Sequence, residues 1–226
     1  MSESVTYTRT DLVSTISMDD GKVNVFSIPV LRSLHRAFDQ GESDHTVILL
    51  KGRPGCFTAG FDLKTLSGPR QDAVTLLRLG ATLAERILAF PAPVVIGCTG
   101  HAFPAGAFLL MAADARVGAD GPFKLGLNEV RIGLTLPWFA TVLARHRLSP
   151  AHFDHAAVTG DMFAPKEARE AGLLDTVVPP HELDAVALDI AQDLGSVDRT
   201  AHTATKLRVR RPVLSALRAS IEEELV

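Results

Sequence analysis

Two loops hold the residues best arranged for chemistry: Gly52 to Leu63 (GRPGCFTAGFDL) and Cys98 to Leu110 (CTGHAFPAGAFLL). An apolar run of β type precedes each, Val47 to Leu50 for the first and Val94 to Ile96 for the second. Each loop then ends in a glycine-bearing turn that opens onto a helix, where the first backbone N–H groups have no intrahelical partner. Two such groups aimed at one point make an oxyanion hole. It would suit an acyl oxygen, such as that of a thioester, which gathers negative charge during reaction.

The elements that must position these loops follow from the pattern of the chain. Val5 to Tyr7 and Leu12 to Ser17 read as paired strands, with Asp19-Asp20-Gly21-Lys22 as the following turn. Pro29 stands near the start of a helix that reaches about Gln40. Val47 to Lys51 is a buried strand and Gln71 to Phe90 a long amphipathic helix stopped by Pro91-Ala92-Pro93. Strand Val94 to Gly97, the second turn, a helix to about Asp114 and strand Ala115 to Gly118 come next. Strands this apolar, alternating with helices, predict an α/β fold built from βαβ units.

Beyond about Pro137 the pattern is helical, broken only by Thr176-Val177-Val178. Helices are expected near Pro137 to His146, Pro150 to Val158, Pro165 to Ala171, His181 to Leu194 and Ala201 to Glu224. Residues 1–195 read as the α/β core, and residues 196–226 as a helical segment of the same domain.

Composition narrows the class. With 226 residues, 46% of them hydrophobic, the chain can bury one sizeable core. A formal charge of −3 offers no general attraction to nucleic acid or an anionic membrane. The opening MSESVTYTRTDL lacks a basic start and apolar stretch, and no apolar run reaches spanning length, so a soluble cytoplasmic protein is expected. Cys56 and Cys98 are the only cysteines and read as small buried hydrophobes. Eight histidines fall in no recognised ligand pattern, so no metal site is expected.

Four motifs in order give the chain a family likeness: the turn Phe57-Thr58-Ala59-Gly60-Phe61-Asp62-Leu63, the second turn through Pro104-Ala105-Gly106, the segment KLGLNEVRIGLTLP (Lys124 to Pro137), and Ala171-Gly172-Leu173 with Val177-Val178-Pro179. The sequence resembles the crotonases, the enoyl-CoA hydratase/isomerase superfamily, collinearly from about Val5 to the last helix. That resemblance implies a crotonase-like core of repeated ββα units and a carboxy-terminal helical region used in trimerisation. It also implies acyl-CoA ligands, a place in fatty acid metabolism, and a homotrimer or dimer of trimers. No separate cofactor is implied, because coenzyme A arrives as part of the thioester.

Carried over residue by residue, the resemblance implies oxyanion donors at the Phe61 N–H and at Ala105, with Gly106 one step away. Glu129, in Asn128-Glu129-Val130-Arg131-Ile132-Gly133, matches the family's second catalytic glutamate. The first glutamate of the hydratases maps to Phe108, which can neither polarise a water nor deliver a proton. A lone carboxylate can still move a proton from the α- to the γ-carbon of an enoyl thioester. The resemblance thus implies hydratase activity while the single glutamate favours isomerisation. A non-catalytic acyl-CoA-binding protein and a thioester hydrolase or decarboxylase on the same scaffold stay open.

Ala59, Gly60, Asp62, Leu63, His101, Phe103, Phe108, Trp138 and Lys22 are the expected substrate contacts, with Phe139 beside them. Among the residues near the loops, Asp62 reads first as an N-cap, Asp114 as a structural aspartate at a helix end, and His101 as a hydrogen-bonded structural side chain. Phosphates of a coenzyme A arm would need cations, for which Lys22, Arg53 and Lys64 by the first loop and Lys206, Arg208, Arg210 and Arg211 on the last helix are candidates.

Overall fold

A computed structural model describes residues 4–225. Its first unit is an antiparallel pair, β1 (Val5–Thr10) and β2 (Val13–Met18), followed by α1 (Ile28–Ser43), which starts at the Ser27 cap with Pro29 in its first turn. Three further units repeat the same order. β3 (Val47–Lys51) and β4 (Gly55–Thr58) lead to the one-turn α2 (Leu63–Leu66) and the long α3 (Arg70–Ala89). β5 (Val94–Cys98) and β6 (Gly100–Ala102) lead to α4 (Pro104–Ala112), and β7 (Ala115–Ala119) and β8 (Leu125–Gly126) lead to α5 (Trp138–Arg147). This is the repeated ββα core that the family likeness implies.

The remaining elements are α6 (Pro150–Thr159), β9 (Met162–Phe163), α7 (Pro165–Ala171), β10 (Thr176–Val178), α8 (Leu183–Gly195) and α9 (Arg199–Glu224). The expectation of helices broken by a single apolar run after Pro137 is corrected by β9, a second strand only two residues long. It owes its place to pairing with β8 rather than to any pattern of its own.

The strands form two sheets, ordered β1-β2-β3-β5-β7-β10 and β4-β6-β8-β9. In the large sheet the period-2 alternation splits apolar residues between two cores. Ile48, Leu50, Val94 and Ile96 face the main core, while Val47, Leu49 and Val95 face Leu183, Ala187 and Ala191 of α8. Both faces are therefore covered, which is why these strands read as unbroken apolar runs. α4 is buried on every side from Ala105 to Ala112, and its sequence is accordingly apolar all round.

The small sheet places the chemistry. β4 and β6 pair in parallel, with Gly55 opposite Gly100 and Thr58 opposite Ala102, and β6 and β8 pair in parallel through Ala102 and Leu125. Parallel strands release their following residues at the same end. The turn 59–62, the start of α4 and the segment from Leu127 to Glu129 therefore emerge side by side, as ligand-binding loops do at the carboxyl ends of parallel strands. Among the described residues no helix is long and apolar enough to cross a membrane.

Candidate active site

A cleft of roughly 510 Å³ opens where these three segments meet. The first turn lines it with Ala59, Gly60, Phe61 and Leu63, the second with Phe103, Pro104 and Phe108, and the third with Asn128 and Glu129. Its remaining wall is apolar but for Thr135, and comes from Leu66, Ala73 and Leu77 together with Ile132, Leu134 and Pro137.

Backbone pairing decides which way Phe61 presents its amide. Gly60 carbonyl accepts from Phe26 N–H at 2.8 Å, and Asp62 N–H donates to Phe26 carbonyl at 3.1 Å. In such a parallel bridge the residue between the two bonds turns its own N–H away from the partner strand, so Phe61 N–H faces away from Phe26. Gly60 makes this turn at φ +92°, a left-handed conformation that suits glycine.

The second turn leaves one amide over. Phe103 carbonyl accepts from Gly106 N–H at 2.6 Å and from Ala107 N–H at 3.2 Å, and Pro104 has no N–H. Ala105 therefore carries the first amide of α4 with no backbone acceptor among the described residues. Of the two residues expected here, Gly106 is already engaged and Ala105 is not. Phe103 N–H donates to Thr58 carbonyl at 3.1 Å, which fastens the two turns together. The position a Cβ would take on Gly60 lies 3.9 Å from Ala105 N.

Glu129 is the only ionisable group among the described residues that line the cleft. It is 6% exposed, and its Oε2 is buried with no hydrogen-bond partner. Burial pushes its carboxyl up to about 7, against a smaller opposing pull from its own backbone N–H. The backbone under it is fixed by a single 3₁₀ turn: Glu129 carbonyl accepts from Ile132 N–H at 3.0 Å and from Leu134 N–H at 2.9 Å. Gly133, at φ +78°, reverses the chain so that Leu134 can reach back.

Other expected residues lie elsewhere. Asp62 caps α2, accepting from Lys64 N–H at 3.1 Å and from the Thr65 hydroxyl at 2.7 Å, and it does not line the cleft. His101 sits outside it too, accepting from Lys124 N–H through Nδ1 with Phe103 and Phe123 against its ring. Trp138 is 52% exposed and gives its backbone N–H to Glu224 at the end of α9. Phe139 is buried behind Phe108, their rings meeting edge to face at 5.3 Å. Lys22 is exposed on the loop after β2.

Two of the expected phosphate cations are structural. Lys206 and Arg210 are buried on Asp114, at 2.6 and 2.9 Å, and are not free for a ligand. Arg53 pairs with Asp19. Burial pushes the Cys98 thiol up to about 12 and raises that of Cys56, so both stay protonated and unreactive near neutral pH. Among the described residues no cluster of three or more His, Cys, Asp or Glu is arranged to hold a metal.

Sequence reasoning missed the α3 wall, Ala73 and Leu77, because a cleft-lining stripe on an amphipathic helix looks the same as a core-facing one. It also passed over Asn128 as a cleft residue, although Asn128 sits inside the motif that singled out its neighbour.

Comparison with known proteins places the chain as a whole. Residues 8–225 match the family model described as enoyl-CoA hydratase/isomerase. A solved enoyl-CoA hydratase/isomerase family protein from Pseudomonas syringae is 41% identical and superposes with a TM-score of 0.97, over 99% of this chain and 97% of that one. Human mitochondrial enoyl-CoA delta isomerase 1 is 28% identical across 91% of this chain and 70% of its own length. A putative enoyl-CoA hydratase from Thermus thermophilus is 30% identical across 88% of this chain and 78% of its own.

Proposed function

This chain belongs to the enoyl-CoA hydratase/isomerase family, and from that premise we propose that it is an enoyl-CoA isomerase which shifts a double bond using Glu129 as its single acid and base. The observation that carries the reading is the lone buried carboxylate of the cleft, Glu129, whose Oε2 has no partner. Relatives of both names, an isomerase and a putative hydratase, align along most of the chain. The choice between the two reactions therefore rests on the side chains present.

In the proposed reaction the thioester oxygen of a 3-enoyl-CoA accepts from the N–H groups of Phe61 and Ala105. Both are left over by the surrounding backbone pairing, and their segments are tied together at Thr58 and Phe103. Glu129 takes a proton from the α-carbon, and the C–H electron pair moves into an enolate whose oxygen the two amides stabilise by a few kcal/mol each. The same carboxyl then returns the proton at the γ-carbon. The electrons re-form the carbonyl, and the double bond lies between the α- and β-carbons.

A carboxyl pushed up to about 7 suits both halves of this cycle, because it exchanges protons readily near neutral pH. Hydration would need a second carboxylate to hold and activate the water. The position where the family's hydratases place it is Phe108, whose ring is buried against Phe139. The apolar wall supports a fatty acyl substrate, with coenzyme A supplied by that substrate. Assembly through α9 is part of the proposal: Leu207 and Val209 leave apolar surface exposed along that helix.

The test is a steady-state assay of 3-enoyl-CoA isomerisation and 2-enoyl-CoA hydration for the wild type and Glu129→Gln. The wild type should isomerise, with a rate that rises with pH through about 7 as Glu129 ionises. The variant should lose on the order of 10²- to 10⁴-fold. Equal rates would remove Glu129 from the mechanism, and hydration without isomerisation would overturn the assignment.

A further inference from the structure

We propose that Gly80 on α3 determines acyl-chain specificity, by leaving a notch in the cleft wall into which the ring of Phe61 recedes so that the cleft stays open to long chains. The inference rests on the acyl-CoA reading above and extends it to a residue that contacts no substrate.

The wall in question is one stripe of α3. Ala73 and Leu77 line the cleft, and residue 80 continues the same face at helical spacing. There the side chain is missing. A Cβ on Gly80 would lie 2.4 Å from Phe61 Cζ and 2.5 Å from Cε1, so the Phe61 ring occupies the space that any larger residue would claim. A glycine inside a 20-residue helix costs about 1 kcal/mol relative to alanine, so something other than helix stability accounts for it.

Anchoring of the Phe61 backbone fixes the direction in which an added methyl would act. Gly60 carbonyl and Asp62 N–H are both bonded to Phe26, so the backbone on either side of Phe61 is held while its ring is free to swing. The clashing atoms are the far end of that ring. On the other side stands the Phe108 ring, with centroids 6.2 Å apart, and both rings line the cleft. A ring displaced from the notch therefore moves into the acyl space. Long chains should lose room that short chains never use.

The experiment measures binding of saturated acyl-CoAs of short, medium and long chain by calorimetry, beside the kcat/KM of matching 3-enoyl-CoAs. The wild type, Gly80→Ala, Phe61→Leu and the double variant are compared. Gly80→Ala should weaken long-chain binding by about 10-fold or more relative to short-chain binding, the scale of a misfitted methylene. Leucine lacks both clashing ring atoms, so in the Phe61→Leu background Gly80→Ala should have no such effect.

A loss equal at every chain length, or no loss, would overturn the inference. Should Gly80→Ala fail to fold, the double variant decides: a chain-length profile equal to that of Phe61→Leu supports the notch as the seat of the ring, and a selective loss of long-chain binding without the ring overturns it. Failure of the wild type to bind any acyl-CoA would bring down this inference and the functional reading together. Binding with a flat response at residue 80 would sink only the former.

Discussion

Asp114 and Glu129 are both carboxylates set in the interior, and their surroundings are opposite. Asp114, just past the end of α4, accepts from Val94 N–H at 2.7 Å, from Lys206 at 2.6 Å and from Arg210 at 2.9 Å. The neighbouring Ala113 carbonyl accepts from Arg116, Arg147 and Arg210, so cations gather at the negative end of the helix. Burial lowers Lys206 to about 8 against the attraction of Asp114. Glu129 has neither cation nor donor on its buried oxygen. The pair teaches that burial alone does not mark a catalytic acid. A satisfied buried charge fastens elements together, here β5, α4 and α9, while an unsatisfied one stores the protonation equilibrium that chemistry needs.

The comparison breaks first at Asp114. Asp114→Ala leaves Lys206 and Arg210 buried without their counter-charge, and removing one partner of a buried pair costs about 3–5 kcal/mol. Denaturant unfolding at neutral pH should show this loss. A change within ~0.5 kcal/mol would mean that Asp114 is not the strut described here.

Glu129→Gln should act with the opposite sign. The folded carboxyl titrates near 7 and the unfolded one near 4.5, so above pH 7 folding pays to hold an ionised group in an apolar cleft. The penalty is absent below about pH 4.5, where both states are protonated. It grows as pH rises from 4.5 to 7 and is constant above, at about 3 kcal/mol. Glutamine removes it, so the variant should gain up to ~3 kcal/mol near pH 8, and the gain should shrink toward zero in acid. Unfolding curves at several pH values check the sign, and a variant less stable than the wild type at pH 8 would contradict the idea of an unpaired buried carboxylate.

The same contrast explains what the sequence disclosed. β3, β5 and most helices were legible because a run of three or four consecutive apolar residues, or a long 3.6-residue stripe, leaves a pattern to read. β4, β6, β8 and β9 were not, although they position the site. They are two to four residues long, and β4, β6 and β8 carry glycines that leave no apolar pattern: Gly55 turns at φ +83°, and Gly100 sits where another backbone comes too close for a side chain. A Cβ on Gly100 would fall 2.1 Å from the Gly55 carbonyl. Phe61 and Glu129 were found through motifs, whereas Gly80 and Leu77 on the far wall had no local signal. Nor could residue type separate Lys206 and Arg210, spent on Asp114, from cations open to a ligand.

Asp62 lies between the two extremes and gives the smallest effect. It stands next to the proposed donor Phe61, so position in the chain alone would make it a catalytic candidate. Its oxygens are instead directed at Lys64 N–H and the Thr65 hydroxyl, the geometry of an N-cap on α2. Asp62→Ala should therefore cost about 1 kcal/mol of stability, the usual worth of such a cap. Because α2 carries Leu63 and Leu66 into the cleft, fraying it should raise KM for the acyl-CoA several-fold while kcat stays within about 2-fold. Asp62→Asn keeps a capping oxygen and should restore most of both quantities. Were kcat instead to fall with KM unchanged, and asparagine to fail as a rescue, the carboxylate itself would be acting on the substrate. Glu129 would then no longer be the sole acid and base.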